Sequence, residues 1–476
     1  MIKKNLIYQS IYQILIIFLP FVTAPYTSRV LGAEGIGTYS YTYTIANYFV
    51  LFAMLGINNY GNREIAYVRN NREQLNRTFS NIFYLHSIVS ILVIAAYTVY
   101  VNFTISENKL YATIQSLYVV GALFDINWFY FGIEKFKLTV TRNLAVKLLT
   151  VLCIFLFVKT TADLWLYISI MAVGFFISQT VVWLFLKNYV SFTKPVWKDI
   201  RKHIGPLLVL FIPVIAVSLY KQMDKIMLGL LTSKIQLGFY ENSEKIISIP
   251  MGIIIAFGTV MLPRMSNLKA TGENKKSQGY MRLSMKYVML IAFALAFGIA
   301  GISTEFVPVF FGREFSESAV LISYLSITIP FIAFANVLRT QYLIPNAKDK
   351  QYVISVFMGA IVNLFTNWLL IPSFQALGAA IGTVFAEATV CILQAVMLKK
   401  ELPVMTYVKI SIFPLSIGIL MHGLVRIIGK MMGVSLITVL TQIGAGTLFY
   451  LIGSAMYLYK TKDQLFLNTI DKLLKK

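Results

Sequence analysis

The sequence predicts an all-α polytopic membrane protein, with 14 transmembrane helices arranged as two six-helix lobes around a central cavity plus two C-terminal helices. Three observations predict it. Of 476 residues, 58% are hydrophobic and 13% charged, with a mean hydropathy of +0.72, too little charge to cover a soluble protein of this length. Apolar runs of about 20 residues recur from end to end, each long enough to cross a hydrocarbon core of roughly 30 Å. Basic residues collect on every second connection between the runs, as a polytopic chain requires.

Span 1, near 7–31, follows Lys3 and Lys4. Its apolar run is too long for a signal peptide, and Pro25 after Ala24 spoils a small-residue cleavage site, so it reads as a retained helix. Spans 2 and 3, near 37–60 and 78–101, flank the basic connection 61–77. Spans 4 and 5 (110–132 and 142–160) flank 133–142, and spans 6 and 7 (164–188 and 204–230) flank 187–203. Spans 8 and 9 (236–262 and 281–303) flank 263–286, and spans 10 and 11 (318–345 and 351–370) flank 346–350. Spans 12 and 13 (375–398 and 406–427) flank 399–409, and span 14 (434–459) leads into the tail "YKTKDQLFLNTIDKLLKK". That tail places Phe466, Ile470, Leu473 and Leu474 on one helical face with Lys opposite; it reads either as a helix on an anionic leaflet or as a frayed end.

Those connections and the two termini hold 30 of the 42 Lys and Arg residues. Seven lie on the other side, and five (Lys147, Lys221, Lys225, Lys245 and Arg339) fall within spans. By the positive-inside rule both termini are cytoplasmic. The formal net charge of +22 is therefore mostly a topology signal and argues for no nucleic-acid partner. Cys153 and Cys391 fall within spans and read as packing residues. Three scattered His offer no zinc spacing, so no metal and no cofactor are expected. With no phosphate-binding P-loop sequence and no large soluble domain, the chain is not expected to hydrolyse ATP.

An internal repeat organises the spans. Gly37-Thr38-Tyr39 opens span 2 and Gly238-Phe239-Tyr240 opens span 8; Arg63 and Arg264 close them, all at an offset of 201. "FLP" (18–20) in span 1 echoes "FIP" (211–213) in span 7. Six spans separate the copies, which makes the halves parallel, related by an axis along the membrane normal. The expected division is 1–190 and 191–400 for the lobes, 401–460 for spans 13 and 14, and 461–476 for a cytoplasmic basic tail.

Span 7 carries "SLYKQMDKIMLG" (218–229), with three ionisable groups inside an apolar run. Each charge at bilayer depth costs roughly 2.5–3.5 kcal/mol on insertion scales. At about 100° per residue, Lys221 and Lys225 share a face and Asp224 lies on its edge, beyond the bends that Pro206 and Pro213 permit. One Lys is left over after pairing, so a water-filled cavity that receives an anion explains the cluster. Span 5 adds Lys147, span 10 Arg339 with Asn336 and Gln341, and span 12 Glu387. Span 1 adds Gln9 and Gln13, one turn apart, and Arg29 near its outer end, either in the cavity or snorkelling to the interface. Asn363 and Asn367, one turn apart in span 11, read first as interhelical hydrogen-bond glue and second as polar cavity lining.

At this point the residues resemble a family. "TAPYTSRVLGAEGIGTYSY" (23–41), "WFYFGIEKFKLTVTRNLAVKLLTV" (128–151), "LYKQMDKIMLG" (219–229) and "GAIVNLFTNWLLIPSFQALGAAIGTVFAE" (359–387) are similar to segments of the bacterial O-antigen and capsule repeat-unit flippases. These belong to the multidrug/oligosaccharidyl-lipid/polysaccharide exporter superfamily. The resemblance covers spans 1–12. It implies a two-lobed transporter of the bacterial cytoplasmic membrane, not an enzyme. Such a transporter moves undecaprenyl-diphosphate-linked oligosaccharide to the outer leaflet by alternating access, and a polysaccharide polymerase is an expected partner. It also implies that cavity cations meet the anionic head group, a role carried onto Arg29, Lys147, Lys221, Lys225 and Arg339. Asp224, Glu387 and Asp125 are candidates for charge balance or for coupling to H+ or Na+, and the membrane potential is an alternative drive. Two rivals remain: a cation antiporter of the same superfamily, which needs a buried first-lobe acid for which Asp125 is the main candidate, and a flippase for another lipid-linked cell-wall precursor.

Overall fold

The computed structural model describes the backbone of residues 2–103 and 107–468, with side chains from Leu19 onward apart from Pro213. Gln9 and Gln13 therefore lie outside the residues whose side chains are described, as do Ile470, Leu473 and Leu474 of the tail. Every element among the described residues is helical. In an apolar medium helices satisfy their own backbone hydrogen bonds, which is why uninterrupted apolar runs adopt this form.

In the first half, α1 runs over Ile2–Met54, α2 over Ile57–Val68, α3 over Arg72–Phe103, α4 over Lys109–Leu123 and α5 over Asn127–Gly132. Then come α6 (Phe136–Phe157), α7 (Leu164–Val181), the short α8 (Trp183–Leu186) and α9 (Trp197–Leu231). The second half comprises α10 (Lys234–Ala270), α11 (Asn274–Phe310), α12 (Ser318–Ser326), α13 (Thr328–Leu338), α14 (Asp349–Leu398), α15 (Val404–Met432) and α16 (Leu436–Lys460).

Among the described residues, ten helical segments are long and apolar enough to cross a membrane, and α9, bent by 42° between Ile212 and Val214, makes an eleventh if its two parts count as one span. Two of the ten are 50 residues long, about 75 Å at 1.5 Å per residue, far more than one crossing needs. Both break midway. In α1 the break is Gly32, at φ 68°, a region glycine enters without strain; in α14 it is Gln375, at φ 52°, three residues after Pro372. Each of the fourteen apolar runs read from the sequence falls mainly on helix.

Two boundaries differ from the expectation. Span 2 does not stop near residue 60: after a turn at Leu55 and Gly56 it resumes as α2, taking up half of the supposed connection 61–77. The reason is amphipathicity. Ile57, Tyr60, Gly61 and Ile65 are buried on one face while Asn58, Asn59, Arg63 and Tyr67 are exposed on the other. Span 4 is interrupted at 124–126, where the helix gives way to a turn before α5.

The chain forms two compact units, Met1–Glu241 and Asn242–Lys476. The first has an aromatic core of Phe79, Trp128, Phe129 and Tyr130 with Ile57 and Ile65. Gly61 lies against the Trp128 ring and Gly132 against Ile65, so small residues let α2 and α5 approach closely. The second unit packs α11, α15 and α16 through Leu290, Ile417, Met421, Val425 and Tyr450. There Glu305, 5% exposed, accepts bonds from Arg426 (2.9 Å) and Gln442 (3.1 Å). Phe466 of the tail packs on this cluster, beside Asp463, which pairs with Lys286 at 2.7 Å. Large apolar side chains such as Phe365, Trp368 and Leu369 are 60–65% exposed, as lipid-facing positions are.

Candidate functional site

The ionisable cluster of span 7 lies on α9, which packs against α1, α2 and α3 and is reached by side chains from the start of α10. Its charges are compensated from outside the helix. Lys225 pairs with Glu241 at 2.8 Å, and the same oxygen, Oε2, accepts the Ser40 hydroxyl at 2.7 Å. Asp224 is buried and accepts the Tyr240 hydroxyl at 2.6 Å. Asn47 donates to Gln222 at 3.2 Å, and Tyr48 to the Ser218 carbonyl at 3.3 Å. Lys221 is exposed and forms no ion pair among the described residues. The expectation of two cations and one anion on this arc thus gains a second acid, Glu241.

The same helices meet through glycine. A Cβ on Gly37 would overlap the Lys234 carbonyl, and one on Gly238 would overlap Ala33. Gly37 faces Gly238 and Ser40 faces Glu241. Both pairs are separated by 201 residues, the offset of the sequence repeat, so each residue touches its own repeat mate.

A cavity of about 460 Å³ opens within the first unit. Tyr39, Tyr43, Tyr118 and Tyr167 line it, with Asn143, Lys147, Thr150, Ser178 and Gln179. The rings brace one another: Tyr39 and Tyr43 stack at 5.6 Å, Tyr167 meets Tyr39 edge-on at 5.0 Å and Tyr118 meets Tyr43 at 5.1 Å. At one end a polar network fixes the amides. Ser178 donates to Asn143 (2.9 Å), Arg142 donates to Asn127 (3.0 Å), and Asn127 donates to Gln179 (3.0 Å) and to Asp125 (2.8 Å). The site thus offers a half-buried ammonium and several hydroxyls and amides within hydrogen-bond reach of an occupant.

Of the expected residues, Lys147 lines this cavity and Asp125 supports its edge. Arg29 is exposed on α1, three residues before the break at Gly32. In the second unit Arg339 begins a π-helical turn, Arg339–Leu343, a distortion frequent at functional positions. It donates to Asn336 (3.0 Å) and the Tyr352 hydroxyl (3.3 Å). Asn367 donates to Asn363 at 3.2 Å; both are buried, and Gly382 lies directly against the Asn367 side chain. Glu387 is half-buried on α14. The tyrosine ring, Arg142 and Glu241 were not foreseen. Arg142 lies buried inside α6, not in a connection over 133–142, and Tyr39 and Tyr43, one turn apart on span 2, are the sequence signal for the tyrosines.

A broken-helix membrane fold with a polar, cation-bearing cavity inside one helical unit defines a membrane transporter. Residues 2–269 match the family model described as "Polysaccharide biosynthesis protein", more than half of the chain, and the chain belongs to that family. It is 22% identical to a putative O-antigen transporter of Shigella dysenteriae over 402 residues, covering 82% of this chain and 98% of the relative. It is 26% identical over 226 residues to a probable low-salt glycan biosynthesis flippase of Haloferax volcanii, 45% of this chain and 46% of that one. Among solved structures, the lipid II flippase MurJ in an inward closed conformation superposes with a TM-score of 0.75 at 15% identity, covering 96% of this chain and 99% of that one. An inward-facing multidrug transporter of the MATE family gives 0.62 at 13% identity, covering 85% and 99%. These two likenesses establish the fold.

Proposed function

We propose that the protein is a flippase for lipid-linked oligosaccharide, a transporter and not an enzyme, acting in the synthesis of surface polysaccharide. The observation that carries the reading is the first-unit cavity, where Lys147 stands among tyrosines, amides and hydroxyls. A sugar diphosphate cannot cross hydrocarbon unaided, because its charges and hydroxyls would lose water without replacement. This cavity holds the replacements, a cation for the diphosphate and hydrogen-bonding groups for the sugar.

In this reading the carrier is undecaprenyl diphosphate and the movement is outward by alternating access. The chain crosses the bacterial cytoplasmic membrane fourteen times with both termini inside. The lobes are 1–190 and 191–400, and a polysaccharide polymerase takes the product. Lys147, Lys221, Lys225, Arg29 and Arg339 meet the head group. Gln9, Gln13, Asn363 and Asn367 serve as polar lining, and Asp224, Glu387 or Asp125 balances charge or couples an H+ or Na+. Two negative charges moving outward through an inside-negative potential gain at most about 4.6 kcal/mol per 100 mV. The O-antigen transporters and the glycan flippase among the relatives support this cargo. A cation antiporter fits less well, because the charge lining the cavity is an ammonium.

Depleting the protein and analysing lipid extracts by mass spectrometry tests the reading. Accumulation of a complete oligosaccharide on undecaprenyl diphosphate, with loss of surface polysaccharide, is the expected result. Unchanged lipid-linked glycans with raised drug sensitivity would replace it with the antiporter.

A further inference from the structure

Lys225 is both a candidate partner of the cargo's diphosphate and the partner of Glu241, 2.8 Å away. The two roles exclude each other at that ammonium unless the carboxylate gives way. We infer that Glu241 is an internal counter-anion which the cargo displaces, so that filling the anion site and loosening the contact between α1, α9 and α10 are one event. The inference rests on the diphosphate reading of Lys225.

The geometry supports a shared fate. Glu241 Oε2 takes bonds from Lys225 on α9 and Ser40 on α1, so one atom ties two helices to α10. One turn from Ser40, Gly37 touches Gly238, and one residue from each end of the ion pair Tyr240 donates to Asp224. The pair's side chains are 18% and 13% exposed, so both are shielded yet still partly accessible. A single carboxylate carries one charge and a lipid diphosphate diester carries two, so the ligand can outcompete it at a cation where water is scarce. By linkage, a ligand shifts a conformational equilibrium only by its differential affinity for the two states. Here the differential arises because Lys225 is occupied by Glu241 in one state and released in the other. An empty transporter therefore stays tied, and a filled one is untied by its own cargo.

The test uses the full-length protein in detergent, with farnesyl diphosphate as the probe and two readouts. One is binding affinity. The other is disulfide yield in an Asn47→Cys/Gln222→Cys variant built on Cys153→Ser/Cys391→Ser, since those two side chains meet at 3.2 Å between α1 and α9. The expected results are an affinity at least tenfold tighter in E241Q, a cross-link that the probe weakens in the parent, and a cross-link already weak in probe-free E241Q. E241D, with a carboxylate one methylene shorter, should fall between parent and E241Q in both readouts, which separates this effect from misfolding. If the parent binds the probe and E241Q binds it within twofold, the counter-anion is overturned while the flippase reading stands. If the parent binds no farnesyl diphosphate, the diphosphate reading of Lys225 falls first.

Discussion

Gly37→Ala tests the helix contact most directly. A Cβ built on Gly37 stands 2.7 Å from the Lys234 carbonyl carbon and 2.9 Å from the Gly238 nitrogen, with the carbonyl oxygen closer still. Ordinary carbon contacts lie near 3.5–4.0 Å, and the obstructing atoms are backbone. The first turns of α10 and the second part of α1 must therefore part by roughly 1 Å, at an overpacking cost of about 1–3 kcal/mol. If that contact belongs to one conformation of the transport cycle, the cost shifts the equilibrium away from it by roughly 5- to 150-fold. The Asn47→Cys/Gln222→Cys cross-link should weaken by a comparable factor while the thermal midpoint changes little. If instead the contact persists through the cycle, the midpoint falls and the cross-link survives. Parental behaviour in both readouts would refute the packing argument altogether.

Three further outcomes are expected. Glu305→Gln removes one charge of a shielded pair and leaves Arg426 facing a neutral amide; a loss of about 3–5 kcal/mol is expected, read as a lower thermal midpoint, with E305Q/R426Q recovering part of it. Lys147→Gln, inside the cavity, should fold normally yet cut transport of lipid-linked oligosaccharide at least tenfold, measured as its accumulation in cell extracts. For Asp463, burial works to raise the carboxyl pKa, but bonds from Lys286, the Phe466 N–H and Tyr287 outweigh it and hold the pKa below the ordinary value. Its contribution should therefore be complete above about pH 4 and be lost as pH falls through the depressed value. Hydrogen exchange in residues 458–467 should rise with acid in the parent and stand high at neutral pH in D463N.

How much of this was legible in the sequence depended on distance along the chain. Spans were readable because each is a local property: twenty apolar residues suffice whatever lies beside them. The break at Gly32 and the extension into α2 were less so, because the composition of 57–68 is polar and only the burial of Ile57, Tyr60 and Ile65 against the aromatic core makes it a helix. Lys147, a cation within an apolar run, was legible as a candidate from the sequence, and it stands on α6 and lines a cavity. The partner of Lys225 was not found, since Glu241 follows 16 residues later across a helix reversal and no helical spacing connects them. The repeat held that information in another form: Ser40 plus 201 is Glu241, and these two repeat mates meet.

That meeting carries a consequence for ancestry. In a dimer of identical single-lobe subunits, the residue at an axis faces its own copy, so a glutamate there would face a glutamate and a serine a serine. Like carboxylates at such range repel. An acid opposite a hydroxyl, with a lysine on one side of the pair, is open only to two copies that have diverged from each other. The glycines at 37 and 238 show the reverse, since two backbones in contact demand the smallest residue from both copies. Side by side, one turn apart, stand a pair that identical copies could share and a pair that only diverged copies could form.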